Sequence, residues 1–448
     1  MTRTPQELTQ NLLDAARKAG AEAADAIVIE GSSVSVEVRH GALEHAERSE
    51  ETEFGLRVFV GKQQAIVSSS DTRPYTLTKM AERAVAMAKE APEDPFTGLA
   101  DSAQLATNWD IDVLELFDPA TEPAADALMQ DAIAAEAAAM AVSGVSQVSD
   151  AAASYGTPRV SLAATNGFSG EYARSYRSTS CVAISGEGTG MERDYDGDAR
   201  TFQSDLRTPQ DIGRSAGERA VSLVGARKPK TGSFPVLFDE RISTSLIGHL
   251  LAASNGAAIA RGASWLKDNL GEQVLPAHLS LIEDPHRPRI SGSRPFDAEG
   301  LPTQRRAIVE NGILTGWTMD LSSARKLGMA STGNAARGVS GPPSPSNWNL
   351  SLTQGTQSRA DLQRDMGTGL LVTSMIGSTI NPNTGDYSRG ASGFWVENGE
   401  ITYPVNECTI AGNLRDMLMR MIPANDARPY LSRVVPSVLI EGMTLAGN

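Results

Sequence analysis

The first hundred residues alternate between helical and strand-like patterns. Leu8, Leu12 and Ala19 recur at helical spacing behind a Thr-Pro-x-Glu capping sequence, which predicts a helix from Pro5 to Ala19. The apolar period changes to two over residues 34–38, as in a half-buried strand. A hairpin over residues 54–68 and a helix over 77–90 follow. Residues 1–100 are therefore predicted to form an α+β domain.

A second unit repeats this arrangement. Residues 123–142 predict an alanine-rich helix, and Asn166-Gly167 joins two strand-like runs with residues that tolerate positive φ. Strand pattern continues to Ser185, and a Thr-Pro-x-Asp start predicts a helix over residues 209–224. We therefore assign a middle α+β domain to residues 101–225. The Pro- and Gly-containing segment 225–232 is interpreted as a solvated linker rather than a phosphate site.

The remaining residues, 232–448, are richest in strand pattern. A short apolar strand over 235–238 precedes a predicted helix over 243–253. Residues 309–315 and 396–402 share five of seven residues, and both place Asn-Gly between strand-like runs. A final strand is predicted over 434–445. The fold class is therefore α+β and multi-domain, with helix-flanked mixed or antiparallel sheets and a large β-rich C-terminal domain.

Composition narrows the class of protein. The chain has 448 residues and a formal net charge of −14, which argues against a nucleic-acid or anionic-membrane binder. Two cysteines cannot form a disulfide framework and fit a reducing compartment. We find no secretory signal and no apolar run that is long enough for a membrane helix. The sequence therefore predicts a cytoplasmic protein.

Candidate metal ligands are sparse. The five histidines form no HExxH or HxH pattern, and the cysteines form no CxxC. His278 and His286 flank Glu283 and Asp284, a group that could bind a metal weakly if folding gathered it. Ordinary surface residues are the favoured interpretation. His249 stands alone on its predicted helix and is interpreted as a packed residue.

Other chemistry is also incomplete. Asp194, Asp196 and Asp198 resemble the start of a calcium loop but lack its later glycine and glutamate, so we predict an acidic turn. Cys181 lies in a strand-like run and Cys408 has no histidine nearby in sequence, so neither is predicted to be reactive. The residues taken alone show no complete catalytic constellation.

Four stretches of the chain resemble the TldD/PmbA family. They are residues 12–30 (LLDAARKAGAEAADAIVIE), 54–71 (FGLRVFVGKQQAIVSSSD), 306–338 (RAIVENGILTGWTMDLSSARKLGMASTGNAARG) and 385–418 (GDYSRGASGFWVENGEITYPVNECTIAGNLRDML). The last is especially similar to the PmbA branch, also called TldE. The resemblance implies a cytoplasmic, heterodimeric zinc metalloprotease that cleaves unfolded or flexible peptides, including antibiotic precursors and an antitoxin. An older proposal for the family is modulation of DNA gyrase.

The resemblance also implies where this chain departs from a catalytic subunit. In TldD-type subunits an HExxxH helix and a later cysteine hold zinc. That window falls on Gly248, His249 and Ala253 here, so both histidines and the glutamate are missing, and no cysteine follows Asn425. The resemblance therefore implies no catalytic, cofactor-binding or metal-binding residue in this chain, with zinc in the partner subunit. Whether the chain counts as an enzyme without that partner is left open.

The implied role is a TldE-type partner that walls the substrate cavity, with exposed strand edges holding peptides. We hypothesise that the loop Gly338–Ser346 lines that cavity, with a plain surface loop as the alternative. Two other functions stay open. One is a stand-alone metallopeptidase built on His278 and His286, and the other is a non-catalytic regulator of gyrase or an antitoxin. The isolated chain could also be a homodimer.

Overall fold

The structure, a computed structural model, describes residues 4–447. Its first helix confirms the predicted capping box, because the Thr4 side chain accepts from the Glu7 N–H and the Glu7 carboxylate accepts from the Thr4 N–H. Gly20 ends the helix at a φ of 97°. The capping sequence therefore fixes both the start and the direction of this helix.

The N-terminal half consists of one sheet and its helices. Its elements are α1 (Pro5–Ala19), β1 (Ala23–Arg39), β2 (Ala42–Val60), β3 (Gln63–Ser69), α2 (Pro74–Glu90), α3 (Ile111–Leu114), α4 (Ala125–Met140), β4 (Val145–Gly156), β5 (Arg159–Ala164), β6 (Ser169–Ala173), β7 (Tyr176–Ser185), β8 (Glu192–Arg200) and α5 (Pro209–Ser222). The strand order is β3-β2-β1-β4-β7-β8, and β5 and β6 extend from β1.

The long strand β1 joins the two predicted N-terminal units. Its first half packs Ala24, Ala26 and Val28 against α1 and α2, whereas its second half packs Val34 and Val36 against α4 and α5. Because β1 pairs with both β2 and β4, the two units share a continuous sheet with two separate helical cores.

The C-terminal half contains the remaining elements. They are β9 (Gly232–Phe238), α6 (Glu240–Ala253), α7 (Gly256–Ala260), β10 (Leu281–Glu283), β11 (Arg306–Glu310), β12 (Ile313–Leu314), α8 (Leu321–Leu327), β13 (Ala335–Ala336), β14 (Ser344–Pro345), β15 (Leu350–Leu352), α9 (Arg359–Met366), β16 (Gly369–Ile380), β17 (Asp386–Glu397), β18 (Glu400–Asn413), α10 (Leu414–Met419), β19 (Ile422–Pro423), β20 (Arg433–Val434) and β21 (Val438–Ala446). The fold is α+β, as predicted.

The main C-terminal sheet closes on itself. Its order is β18-β17-β16-β9-β21, and β18 also pairs with β21, which leaves these strands paired around a ring. The two predicted Asn-Gly hairpins are present, and Asn311 and Asn398 adopt φ values of 49° and 53°. The repeated sequence phrase therefore marks two turns of the same kind.

One predicted turn is wrong. Asp194, Asp196 and Asp198 lie in the edge strand β8. All three are buried, and arginines neutralise them: Arg241 binds Asp194, and Arg207 binds Asp196. Arg241 and Arg207 lie outside β8, so the local pattern could not show these two pairs. The third aspartate, Asp198, pairs with Arg200 on β8 itself.

An aromatic cluster joins the two halves. Phe296 from the C-terminal half lies 5.0 Å from the rings of Phe168 and Trp109 and 5.5 Å from Tyr172. Edge-to-face packing of this kind is favourable beyond its burial. Across residues 4–447, no helix combines the length and apolarity that crossing a bilayer requires.

Candidate functional site

Helix α6 carries residues 248–253, the window over which the resemblance places the zinc-binding motif of TldD-type subunits. Asp239 caps it by accepting from the Arg241 N–H at 3.2 Å. Leu246, Ile247 and Leu250 bury its apolar face in the C-terminal core. This packing fixes the rotation of the helix and therefore the side on which each position of the window lies.

His249 is packed rather than ligating. Its ring meets Tyr387 edge-on, with centroids 5.8 Å apart. Its Nε2 is buried and has no hydrogen-bond partner among the described residues. Burial, with a smaller effect of Arg389, lowers the pKa of His249, so the imidazole is neutral at physiological pH.

The other two positions of the window do not supply ligands. A Cβ at Gly248 would have Arg433 Nη1 as its nearest neighbour, at 3.7 Å. Ala253 is buried in the core, where a histidine would have to displace packed side chains.

The donor set of the window therefore does not fit a zinc ion. A catalytic zinc needs three protein ligands, but this site offers one imidazole with arginine cations beside it. Elsewhere in residues 4–447, no three His, Cys, Asp or Glu side chains are grouped so that they could hold a metal ion.

The structure does not gather the alternative histidine site. His286 Nε2 lies 3.0 Å from Thr303 Oγ1, and His278 is exposed. The Glu283 carboxylate is buried and already accepts from the Trp348 N–H at 2.6 Å and from Arg306 Nε at 2.8 Å. This carboxylate therefore has a structural role in joining three segments of the C-terminal half.

Both cysteines are buried thiols. Burial raises the pKa of Cys181 to about 12 and the pKa of Cys408 to about 11. The thiolate is the nucleophilic form, so neither group is activated at neutral pH. This agrees with the prediction from sequence.

The loop Gly338–Ser346 is anchored to the N-terminal sheet. Part of it forms β14, which pairs with β13. A Cβ on Gly55 of β2 would overlap the Val339 carbonyl, so the absence of a side chain there permits the close approach. The loop therefore has a fixed position between the halves, whereas its lining of a substrate cavity stays a prediction.

Sequence reasoning missed the cations that surround the window. Arg389, whose charge acts on His249, comes from β17, and Arg433, which lies beside Gly248, comes from β20. Both are far from the window in sequence. No sequence pattern near Arg389 or Arg433 indicates that they lie close to helix α6.

Comparisons with known proteins place the chain in a family. Models of the first, central and C-terminal domains of PmbA/TldA metallopeptidases match residues 24–88, 117–224 and 231–447. Metalloprotease PmbA of Escherichia coli O157:H7 is 37% identical over 95% of this chain and 93% of that protein. The chain belongs to the PmbA/TldD family. A PmbA homolog of Haemophilus influenzae is 39% identical over 99% of this chain and 97% of that protein.

Solved structures of other proteins share the whole fold. A proposed modulator of DNA gyrase from Bacteroides thetaiotaomicron has a TM-score of 0.88 at 27% identity, covering 99% of this chain and 98% of that one. TldE from Thermococcus kodakarensis has a TM-score of 0.84 at 20% identity, covering 98% of this chain and 100% of its own, and supports the fold alone. Both the halves and their arrangement are thus those of the family.

Proposed function

We propose that this chain is the TldE-type subunit of a two-component zinc metalloprotease and is inactive without its TldD-type partner. The window on α6 carries the proposal. It has one neutral, packed imidazole at His249, and Gly248 and Ala253 stand where ligands would be needed. The similarity to metalloproteases named PmbA over nearly the full length supports the family role.

In this proposal the chain shapes the cavity through which peptides reach the partner's zinc. Its closed C-terminal sheet and the anchored loop Gly338–Ser346 are rigid parts suited to a wall. The complex acts in the cytoplasm on unfolded or flexible peptides. Zinc belongs to the partner subunit, and the isolated chain binds none at stoichiometric level.

The test measures zinc content and cleavage of an unfolded peptide, for this chain alone and mixed with the TldD-type subunit. We expect no bound zinc and no cleavage for the chain alone. We expect cleavage in the mixture, and its loss when the partner's HExxxH motif is mutated. Zinc and cleavage in the isolated chain would contradict the proposal. Stable association without any cleavage would favour a regulator instead.

A variant of the window sharpens this test. His249→Phe keeps a ring against Tyr387 and removes the imidazole nitrogens. Since that imidazole is not a ligand in the proposal, the mixture should retain its cleavage rate within about twofold, a negligible change in transition-state free energy. A loss of zinc or of chemistry in the mixture, with an unchanged melting temperature, would show that His249 contributes to a metal site.

A further inference from the structure

A cleft of about 720 Å³ lies between the middle part of the N-terminal sheet and the C-terminal half. One wall is the face of β7 and β8 that carries Tyr176, Ser178, Tyr195 and Ala199, and the opposite wall comes from residues 289–291 and 428–432. The volume is in the range of ligand-binding pockets. It is separate from the α6 window, whose residues do not line it.

The cleft is lined by cations, although the chain as a whole carries a net charge of −14. Six arginines line it: Arg174, Arg200, Arg219, Arg241, Arg289 and Arg428. The two lining carboxylates, Asp196 and Asp198, have side chains only 5% exposed, whereas the Arg219 and Arg428 side chains are 30% and 29% exposed. Among the residues that line the cleft, the charged groups exposed to a ligand are therefore mainly guanidinium groups.

Ion pairs with largely buried carboxylates hold several of these arginines in position. Arg219 lies 3.1 Å from an Asp196 oxygen, and Arg428 Nε donates to Glu240 at 2.9 Å. Arg174 differs, because its guanidinium donates to backbone groups, the carbonyls of Ser291 and Ser293. Burial and Arg294 lower the pKa of Arg174 to about 10, so it stays cationic at neutral pH.

The middle of the β8 edge is closed to strand addition. The outward N–H of Tyr195 donates to Asp194 Oδ1 at 2.7 Å, and that of Gly197 donates to Asp196 Oδ1 at 2.9 Å. The outward Tyr195 carbonyl accepts from Arg219 at 3.0 Å. Because these three backbone groups are occupied, residues 195–197 of the edge are not free to pair with a peptide strand. Recognition in this cleft therefore depends on side chains.

The lining side chains suit a peptide that bears carboxylates. Guanidinium groups match the planar geometry of a carboxylate. The Tyr176 and Tyr195 rings are exposed and offer flat apolar surface between the cations. Arg200 stacks over the Tyr430 ring at 3.4 Å, which stiffens the opposite wall. A longer polyanion such as nucleic acid would meet the repulsion of the acidic chain outside the cleft.

We propose that this cleft binds an acidic segment of an extended polypeptide, with its carboxylates paired to Arg174, Arg219 and Arg428 and its backbone against the tyrosines. The inference deepens the proposed function by naming the class of peptide. It rests on that function only where the peptide is called a substrate of the complex.

The test uses the full isolated chain and the fluorescence anisotropy of a labelled, unstructured peptide of Gly, Ser and Glu. A matched peptide with Gln in place of Glu is the neutral control. We expect the Glu peptide to bind at least about tenfold more tightly, and this preference to shrink as salt rises from about 0.05 to about 0.5 M.

A matched pair of variants locates the binding. Ala199 is exposed on the cleft wall, and its side chain carries no charge. Ala199→Glu should weaken binding of the Glu peptide about tenfold by adding a negative charge, whereas Ala199→Gln, of the same size, should change it less than about twofold. Both variants should melt at the same temperature as the parent chain.

Three outcomes would overturn the proposal. They are equal binding of the Glu and Gln peptides, equal effects of the two Ala199 variants, and competition by free glutamate at the same concentration as the peptide. The last would indicate a site for one carboxylate rather than for a polypeptide. No step of this test involves cleavage, so its result is independent of whether the mixture with the TldD-type subunit is active.

Discussion

At the scale of single residues, one carboxylate joins the two halves of the molecule. Asp25 on β1 accepts from Arg57 Nε at 2.9 Å and from Arg337, which comes from the C-terminal half. All three charges are buried. Burial raises the pKa of Asp25, but Arg337 and Arg57 together lower it by more, so the net pKa lies below the usual value. Asp25 is therefore ionised at neutral pH.

Removing this carboxylate should be strongly destabilising. Asp25→Ala leaves two buried guanidinium groups without their counter-charge, which typically costs about 3–5 kcal/mol of unfolding free energy. Urea denaturation followed by circular dichroism measures the change. Asp14→Ala is the control, because Asp14 forms an exposed pair with Arg17 at 3.2 Å that should contribute less than about 1 kcal/mol. Similar losses in both variants would contradict this account.

Glu299 makes stability depend on pH. Its carboxylate accepts from the Leu321 N–H at 2.8 Å. Burial, with the nearby Asp297 charge, raises the pKa of Glu299 well above its usual 4.5, and burial also raises the pKa of Asp297. The folded state thus binds more protons than the unfolded state above the usual carboxyl pKa. The contribution of Glu299 is complete below pH 4.5 and is lost as the pH rises through its raised pKa, with a slope of at most about 1.4 kcal/mol per pH unit.

Glu299→Gln should reduce this slope, leaving the part that Asp297 contributes, and should stabilise the chain at pH 8 relative to the parent. Urea denaturation midpoints measured from pH 5 to pH 8 test it. Glu400→Gln alters an exposed carboxylate on β18 and should leave the slope unchanged. The expectation fails if the Glu299→Gln profile remains parallel to that of the parent chain.

At the scale of elements, α4 and α5 are in backbone contact. A Cβ on Gly213 of α5 would overlap the Ala135 carbonyl of α4. Gly217, one turn later, faces Ala139 in the same way. Glycine normally destabilises a helix, so these two positions lower the helix propensity of α5. In return, they allow α4 and α5 to cross at a short distance.

Gly213→Ala should therefore destabilise the protein, by about 1–3 kcal/mol, although alanine favours helices by about 1 kcal/mol. The Cβ has to push the two helices apart. Glu218→Ala, on the exposed side of α5, should change stability by less than about 0.5 kcal/mol. Thermal denaturation of the two variants compares them directly. A stabilised Gly213→Ala protein would show that the helices can separate at little cost.

Local signals predicted the elements whose causes are local. The Thr4 capping box and the Asn-Gly turns at 311 and 398 depend on residues within one turn, and all are present. The aspartates of β8 were misassigned because the arginines that bind Asp194 and Asp196 come from α5, α6 and the segment before α5. The single histidine of the α6 window was readable from sequence, whereas the cations beside it depend on tertiary packing.

At the scale of the whole molecule, the pairing of strands determines how the units are arranged, and the hydrophobic periodicity of the sequence does not reveal that pairing. The sequence predicted separate units at 1–100 and 101–225, but β1 pairs with β4 across them. The arginine-lined cleft likewise needs β7, β8 and two C-terminal segments at once. An alternating pattern indicates which residues of a strand face a core, but it carries no information on the partner strand.

The aromatic cluster should couple the unfolding of the two halves. Phe296→Ala removes the ring that meets Phe168 and Trp109 and should cost about 3–5 kcal/mol. Because the lost contacts lie between the halves, we expect calorimetry to resolve two unfolding transitions, one for each half. If the parent chain already shows two transitions, the difference between their midpoint temperatures should increase.

Phe234→Ala is the matched control, since its edge contact with Trp395, at 5.0 Å, lies within the C-terminal half. That variant should lower the C-terminal transition without separating the two. Equal effects of both variants would mean that the halves are coupled through the buried Asp25 network rather than through the rings.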